Sequence, residues 1–545
     1  MKNLKFINSN IKNWNKIKIK NGTIWHATNI KTNQLNSILD FLYNEKNINI
    51  NKLIVLFKNF NFNFGIVIKY KNYIIAATDI VRSYPLYFAN HSNELFISPQ
   101  AKNICKNKIY TVNNKQLLSY RMAGYTVGNE TLWNNIRGLN SGQILFLNNG
   151  KIQINNYFDS LSNTKSSIDI ELNKKNLKDH IFSIIENIKN RADGRRIVIP
   201  LSAGLDSRLI ASGLKYINYN NVVCYSYGLK NNFEAKIARQ ICKKLNYNWT
   251  FIDISQKKAK KFYKSKFYND YFEKCIDGCS TPGIQDIYAI KYLKDKNYFN
   301  DEDIIINGNS GDFISGGHIP LKSKNWDSEL NIDNAFKIIL NEQMKKHYSL
   351  WKELNTKNNN NIIKELLHKQ ISLQLKNKNS KIKPYVLYEL LEYHNRQVKF
   401  VVNLQRIYDF CRIDWMLPLW DKEVINFWKD IPLDQKINQK LYKTTLEELN
   451  MCDVWGREFF SSNEISPKWI KPIRLFFKTA FYFSGKDKWH SFEKKYLNYW
   501  TDIICGYSMY SYKETINNNF EARNSVSWHT IASEKYLFKK NWQKN

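Results

Sequence analysis

The short apolar run Ile197-Val198-Ile199 feeds into Leu201-Ser202-Ala203-Gly204-Leu205-Asp206-Ser207, and apolar residues at helical spacing follow at Leu209, Ile210 and Leu214. A strand that turns into a helix through so small a loop belongs inside an α/β layer. The neighbouring sequence keeps the same rhythm. Leu177, Ile181, Ile184, Ile185 and Ile188 share one helical face ahead of it. After it come strand candidates at Val222-Val223-Cys224-Tyr225, Thr250-Phe251-Ile252-Asp253-Ile254 and Ile304-Ile305-Ile306. Between them lie a helical face of Ala235, Ala238, Ile241, Cys242 and Leu245 and a helical stretch over residues 287–293. This alternation predicts a doubly wound parallel sheet with helices on both faces.

The loop has its own chemistry. Where a strand meets a helix, successive backbone N–H groups and the helix N-terminus point outward without partners, which makes an anion site. Gly204 permits close backbone approach, and Ser202 and Ser207 add hydroxyl donors. Asp206 would repel a bare phosphate, so its presence implies an intervening cation, with Mg²⁺ the natural choice. The spacing is not that of a Walker loop. The plainer alternative is a glycine-containing turn whose Asp and Ser cap a helix.

The first 160 residues read as β-rich and sandwich-like. The runs Leu53-Ile54-Val55-Leu56-Phe57, Phe64-Gly65-Ile66-Val67-Ile68 and Tyr73-Ile74-Ile75-Ala76-Ala77 are short and bounded by polar or turn residues, as strands are. Gln143-Ile144-Leu145-Phe146-Leu147 followed by Asn148-Asn149-Gly150 predicts a hairpin. Small polar residues over 160–167 suggest a linker, placed at 161–175. The sheet core then occupies about 176–330, and 331–545 reads as mostly helical. The net charge of +34 could favour nucleic acid or an anionic membrane surface. Its Lys, however, are spread along the chain among Asn, Ile and Tyr, as A/T-rich codons would produce, so no nucleic-acid partner is expected. Eight irregularly spaced Cys read as reduced thiols, and no apolar run is long enough for membrane insertion, so the expected location is cytoplasmic.

Taken together, the motifs resemble the glutamine-hydrolysing asparagine synthetase family within the PP-loop ATP pyrophosphatases. The loop at 202–207 is similar to SGGxDS. Asn307-Gly308-Asn309-Ser310-Gly311-Asp312-Phe313-Ile314-Ser315-Gly316-Gly317 is similar to SGEGADELFGG, and Pro418-Leu419-Trp420-Asp421 to PFLD. Glu234, Ala235 and Ala238 resemble the family's E…A…A helix. Thr78-Asp79…Tyr84-Pro85-Leu86-Tyr87-Phe88 and the stretch from Leu132-Trp133 to Asn155-Asn156-Tyr157-Phe158-Asp159 resemble the family's N-terminal glutamine amidotransferase domain. The resemblance implies that Leu201, Ser202, Gly204, Asp206, Ser207, Ser226, Gly228 and Gly308 contact ATP and that Asp206 and Asp312 hold Mg²⁺. It also implies a catalytic lysine beside the phosphates, Lys440 or Lys443, with Lys440 preferred.

The sequence departs from that family in three places. The family's nucleophile is an N-terminal cysteine, whereas position 2 is Lys and the first cysteine is Cys105, so glutamine hydrolysis is expected to be lost. Asn309 and Phe313 stand where the family has Glu. Arg208 directly follows the loop, where either a phosphate contact or a solvated helix position would suit it. The aromatic, cation-bearing stretch from Asn395 to Trp428 is closer to the asparagine synthetase-like proteins of bacterial surface-polysaccharide clusters, though it would equally suit an aromatic helical core. The expectation is an ATP-dependent ligase that activates a small-molecule or sugar carboxylate as an acyl-adenylate, with ammonia or an amine as nitrogen donor. The alternatives are plain asparagine synthesis, a non-catalytic scaffold, and a tRNA-acting PP-loop enzyme.

Overall fold

The computed structural model describes residues 3–8, 14–27, 32–45, 47–91, 93–107, 110–161, 169–375, 381–459 and 464–538. The first part holds ten strands: β1 (Asn3–Phe6), β2 (Trp14–Ile19), β3 (Gly22–Ala27), β4 (Gly65–Tyr70), β5 (Tyr73–Thr78), β6 (Tyr87–His91), β7 (Glu94–Ser98), β8 (Arg137–Gly138), β9 (Gln143–Asn148) and β10 (Lys151–Asn156). They form a six-stranded antiparallel sheet, β10-β9-β5-β4-β3-β2, and a four-stranded sheet, β1-β7-β6-β8. Val67, Ala76, Leu145 and Leu147 of the first sheet meet Phe88, Leu95 and Ile97 of the second in one core. The predicted sandwich is therefore present. The predicted hairpin is too: Asn149 and Gly150, both at positive φ, join β9 to β10.

The opposite face of the six-stranded sheet is also covered. Ile66, Ile68, Ile75 and Phe146 pack with Leu42, Leu53 and Phe57. Burial on both faces explains why these strands read as continuous apolar runs rather than as alternation. It also explains one correction. Leu53-Ile54-Val55-Leu56-Phe57 is not a strand but part of the helix Ile50–Lys58. The Asn49 side chain accepts from Lys52 N and caps it, and Leu53 and Phe57, four apart, are buried while Val55 is exposed. A five-residue apolar run carries no periodicity that separates the two states.

The second part is built on β11 (Ile197–Pro200), β12 (Val222–Gly228), β13 (Asn248–Asp253) and β14 (Ile304–Ile306). A short two-stranded pair follows, β15 (Leu330–Asn331) with β16 (Lys381–Ile382), and then β17 (Asp414–Met416). The main sheet is wholly parallel, in the order β13-β12-β11-β14-β17. The strand β17 lies within the span read as mostly helical, because three residues are too few to impose a pattern. Trp415, Trp420 and Trp428 are nonetheless buried core residues. The helix Ile170–Ala192 starts inside the span read as linker, because Asp169 accepts from Glu171 N and Leu172 N and caps it; residues 162–168 lie outside the described set. Beyond residue 331 the chain is mainly helical, around a second core that includes Phe336, Leu367, Leu387 and Leu391. All eight cysteines are free, and no described helix is long and apolar enough to cross a membrane.

Residues of the stretch 78–88 tie the two parts together. Asp79 accepts from Phe64 N, Val81 N and Ser83 N and shapes the turn after β5. Arg82 then donates to Tyr87 Oη at 2.8 Å, and Tyr87 donates to Asp277 Oδ2 at 2.6 Å in the second part. Arg406 donates back to Ser83 O at 2.7 Å. Tyr87 is fully buried, so Tyr87→Phe leaves polar groups without their partner. The expected cost is about 1–3 kcal/mol, read as a lowered urea midpoint at an unchanged denaturant slope.

Candidate functional site

The order of the parallel sheet fixes where a site can form. The chain runs from β11 outward through β12 to β13, then returns to place β14 on the other side of β11. Helices and loops that follow β11 and β14 therefore diverge, and a crevice opens at the carboxyl ends of these two strands. Both sequence-predicted loops leave from those ends: residues 201–207 after β11 and 307–312 after β14. They line a cavity of about 430 Å³ together with Tyr225, Glu234, Asp286 and Tyr408.

The first loop is held by its own hydroxyls. Ser202 N donates to Ser207 Oγ and Gly204 N to Ser202 Oγ, at 3.2 and 3.1 Å. The helix Leu205–Tyr216 then begins with Gly204 as its cap and no capping side chain. Its first-turn N–H groups are left to the cavity, which suits an anion.

Two glycines bring the second loop against the first. A Cβ on Gly308 would lie 2.6 Å from Asp206 Cβ, and one on Gly311 would lie 2.4 Å from Asp206 Cγ. Only the absence of side chains at 308 and 311 lets these backbones meet. As a result Asp312 N donates to Asp206 Oδ2 at 3.0 Å, while Tyr442 Oη donates to Asp206 Oδ1, also at 3.0 Å. Burial, and then the charge of Asp312, push the Asp206 carboxyl up to about 7.

Asp312 is held the other way. Desolvation alone would raise its pKa, but hydrogen bonding to His318 and the His318 and Arg396 charges bring it below the usual carboxylate range. His318 Nε2 lies 2.9 Å from Asp312 Oδ2, and its Nδ1 contacts Glu392 Oε1. Glu392 also accepts from Gln397 Nε2 at 2.9 Å, and Gln397 in turn accepts from Ser310 Oγ at 2.8 Å. A closed chain of polar contacts therefore backs the second loop. On the opposite wall, Asp286 sits at φ 59° and accepts from Tyr408 Oη and from Tyr225 Oη. A non-glycine residue in that backbone region is strained and is found where surrounding structure enforces it.

The sequence-predicted residues divide as follows. Leu201, Ser202, Gly204, Asp206, Ser207, Ser226, Gly308 and Asp312 all line the cavity. The Ser226 hydroxyl donates to Leu201 O at 2.6 Å and accepts from Trp249 Nε1, which locks β12 to the loop. Gly228, at φ 131°, lies against Ile503, itself a cavity residue. Lys440 and Lys443 are not among the lining residues; Lys440 is exposed and Lys443 donates to Asn438 Oδ1. Tyr442, between them, is the residue that reaches Asp206. Arg208 is fully buried and donates to Ala203 O, Val454 O and Phe459 O, so it is neither solvated nor in the cavity. Phe313 faces Trp420 and His318, and Asn309 lines the cavity.

Sequence reasoning missed His318, Glu392, Tyr442 and Asp286. His318 directly follows Gly316-Gly317 and could have been noticed there. Glu392 and Asp286 carry no local signal. Among the described residues no group of three or more His, Cys, Asp or Glu is disposed to hold a metal ion. Asp206 and Asp312 form a two-carboxylate set, which is what Mg²⁺ uses when phosphate oxygens and water complete its shell. Gly311→Ala forces Asp206 and the second loop apart. It is expected to cost about 1–3 kcal/mol, the size typical of overpacking, read as a lowered urea midpoint with far-UV circular dichroism unchanged.

Residues 188–450 match the family described as asparagine synthase. No curated protein sequence matches the chain. Among solved structures, an NH3-dependent NAD synthetase from Campylobacter jejuni in complex with nitrate shares 17% identity over 40% of this chain and 99% of that one, with a TM-score of 0.20. A structure described as the allosteric regulatory enzyme of purine biosynthesis shares 11% identity over 53% of this chain and 55% of that one, at 0.18. The glutamine phosphoribosylpyrophosphate amidotransferase from B. subtilis complexed with ADP and GMP shares 11% identity, over 53% and 62% of the two chains, at 0.15.

Proposed function

We propose, from the premise that residues 188–450 are an asparagine synthase domain, that the chain is an ATP-dependent amide-forming ligase that works through an acyl-adenylate. One observation carries the reading. An uncapped helix N-terminus and two carboxylates from adjacent parallel strands converge on a single cavity at the point where the strand order reverses. Pyrophosphate fits the first, and a cation between phosphate and protein fits the second. Asp206 and Asp312 would hold Mg²⁺, which when bound would neutralise phosphate charge. Burial, and then the Asp312 charge, raise the pKa of Asp206, and such a cation would offset both.

In this reading a substrate carboxylate oxygen attacks the α-phosphorus of ATP, and the bond to the bridging oxygen breaks to release pyrophosphate. Ammonia or a bound amine then attacks the acyl carbon, AMP leaves with the carbon–oxygen electron pair, and the nitrogen loses a proton. The N–H groups after Gly204 and the hydroxyls of Ser202 and Ser207 hold pyrophosphate oxygens. Lys440, on the helix whose Tyr442 bonds Asp206, would swing toward the phosphates as charge develops. The carboxylate substrate would lie against Tyr225, Tyr408 and Asp286. Asn309 and Phe313 lack the carboxylates expected of an enzyme acting on aspartate, and the aromatic wall suits a larger acid such as the uronic acid of a surface glycan.

The test is carboxylate-dependent release of pyrophosphate with ammonia as donor, screened over acids that include uronic acids. Asp206→Asn is expected to lower it by at least about 10²–10³-fold, the size typical of removing one preorganised electrostatic group. Withdrawal of divalent cation should abolish release in the unaltered protein. Release by Asp206→Asn at the unaltered rate would show that the site is assigned wrongly.

A further inference from the structure

Far along the chain, residues 465–486 carry five cations, Lys468, Lys471, Arg474, Lys478 and Lys486, and no carboxylate. The helix within them, Ile470–Ala480, is attached from one side only. Ile470 is buried, the Phe477 and Phe481 rings lie 4.7 and 5.0 Å from that of Phe492, and Arg474 bonds Glu493. These contacts, with Trp489 and Leu497, form a small separate core. The helix is thus fixed in place, not hanging from the protein.

At about 100° per residue, Leu475 and Phe476 point away from that core with Pro472 and Thr479 between them, and Lys471 and Lys478 fall together on one flank. The outward residues stand clear of the surface: Leu475 is 64% exposed, Phe476 68%, Tyr482 79% and Phe483 95%. Among the described residues nothing covers them.

We propose that this face docks the protein on an anionic lipid surface. A protein partner is the poorer fit, because interface cores are depleted of Lys, whereas here lysines flank protruding rings in a segment without a carboxylate. A bilayer boundary takes this combination: apolar and aromatic side chains enter the acyl region while cations meet lipid phosphates. Eleven residues at about 1.5 Å each span roughly half a hydrocarbon core, so the helix lies along the surface and does not cross it. The charge continues nearby. A groove of about 990 Å³ on the other flank of the helix Lys486–Tyr496 is lined by Lys337, Lys345, Lys364, Lys494 and Arg523, against Asp487 and Glu521. Such a cluster adds to attraction by anionic lipid. The segment that carries the docking face also connects, through Trp469, to the chain that leads to the proposed nucleotide cavity. Trp469 lies 5.7 Å ring to ring from Trp500, and the chain then runs to Ile503 and Ile504, which line that cavity.

The experiment is co-sedimentation of the full chain with vesicles of phosphatidylcholine, with and without phosphatidylglycerol. Binding is expected only with phosphatidylglycerol, and to weaken with salt. The double substitution Phe476→Ser/Phe483→Ser is expected to reduce it by at least about tenfold, and Lys471→Glu/Lys478→Glu by a similar factor. Both pairs are on the surface, and unchanged thermal unfolding shows that the fold persists. Binding that is insensitive to the two phenylalanines would overturn the proposal, because charge alone would then suffice. So would absence of binding, whether the protein is monomeric or forms a dimer that the phenylalanine substitutions dissociate in analytical ultracentrifugation.

Discussion

Asp206 lies between two backbones that approach it only because Gly308 and Gly311 have no side chains, and much of the molecule is arranged around that contact. The contact exists because β14 returns beside β11, so that two loops distant in sequence leave the sheet side by side. The same geometry leaves the helix after Gly204 open at its N-terminus. Buried Arg208 anchors that helix to the 454–459 segment, and Tyr442 closes over the carboxylate from the other direction. The site is thus a junction of three chain segments rather than a single loop.

Much of this was legible in the sequence. The four strands of the parallel sheet that precede residue 310 and the helices between them follow apolar periodicity, and the predicted faces at 177–188 and 235–245 are buried. The loop at 201–207 was recognisable from its strand-to-helix position, its glycine, its hydroxyls and its carboxylate, and that at 307–312 from its resemblance to a family motif. What failed to show had physical causes. The strand β17 is too short for a period, and the helix Ile50–Lys58 was hidden in a run apolar on every side. Glu392 and Asp286 lie tens of residues from the loops they serve, so only folding reveals them. Arg208 was undecided in sequence because the segment that buries it lies some 250 positions away, where it donates to Phe459 O.

The second loop is backed by a polar arrangement of its own. Asn309 places an amide on the cavity wall, Phe313 packs against Trp420, and His318 sets an imidazole between Asp312 and the buried Glu392. Desolvation would raise the pKa of Glu392, but the nearby His347 and His318 hold it well below the usual range. A charged group buried with several hydrogen-bonded partners keeps its orientation, so Asp312 is positioned from behind as well as from its own backbone. The N-terminal part contributes in a similar structural way: the turn shaped by Asp79 supplies Arg82 and Tyr87, which reach the second part through Asp277.

The crowding around Asp206 has a further consequence for its motion. With Gly308 and Gly311 pressed against it and both oxygens already engaged, its side chain is held by contacts on several sides. A ligand arriving there finds the carboxylate already ordered, so little torsional freedom remains to be lost on binding. The same contacts couple the two loops, so a displacement of one is transmitted to the other through Asp206.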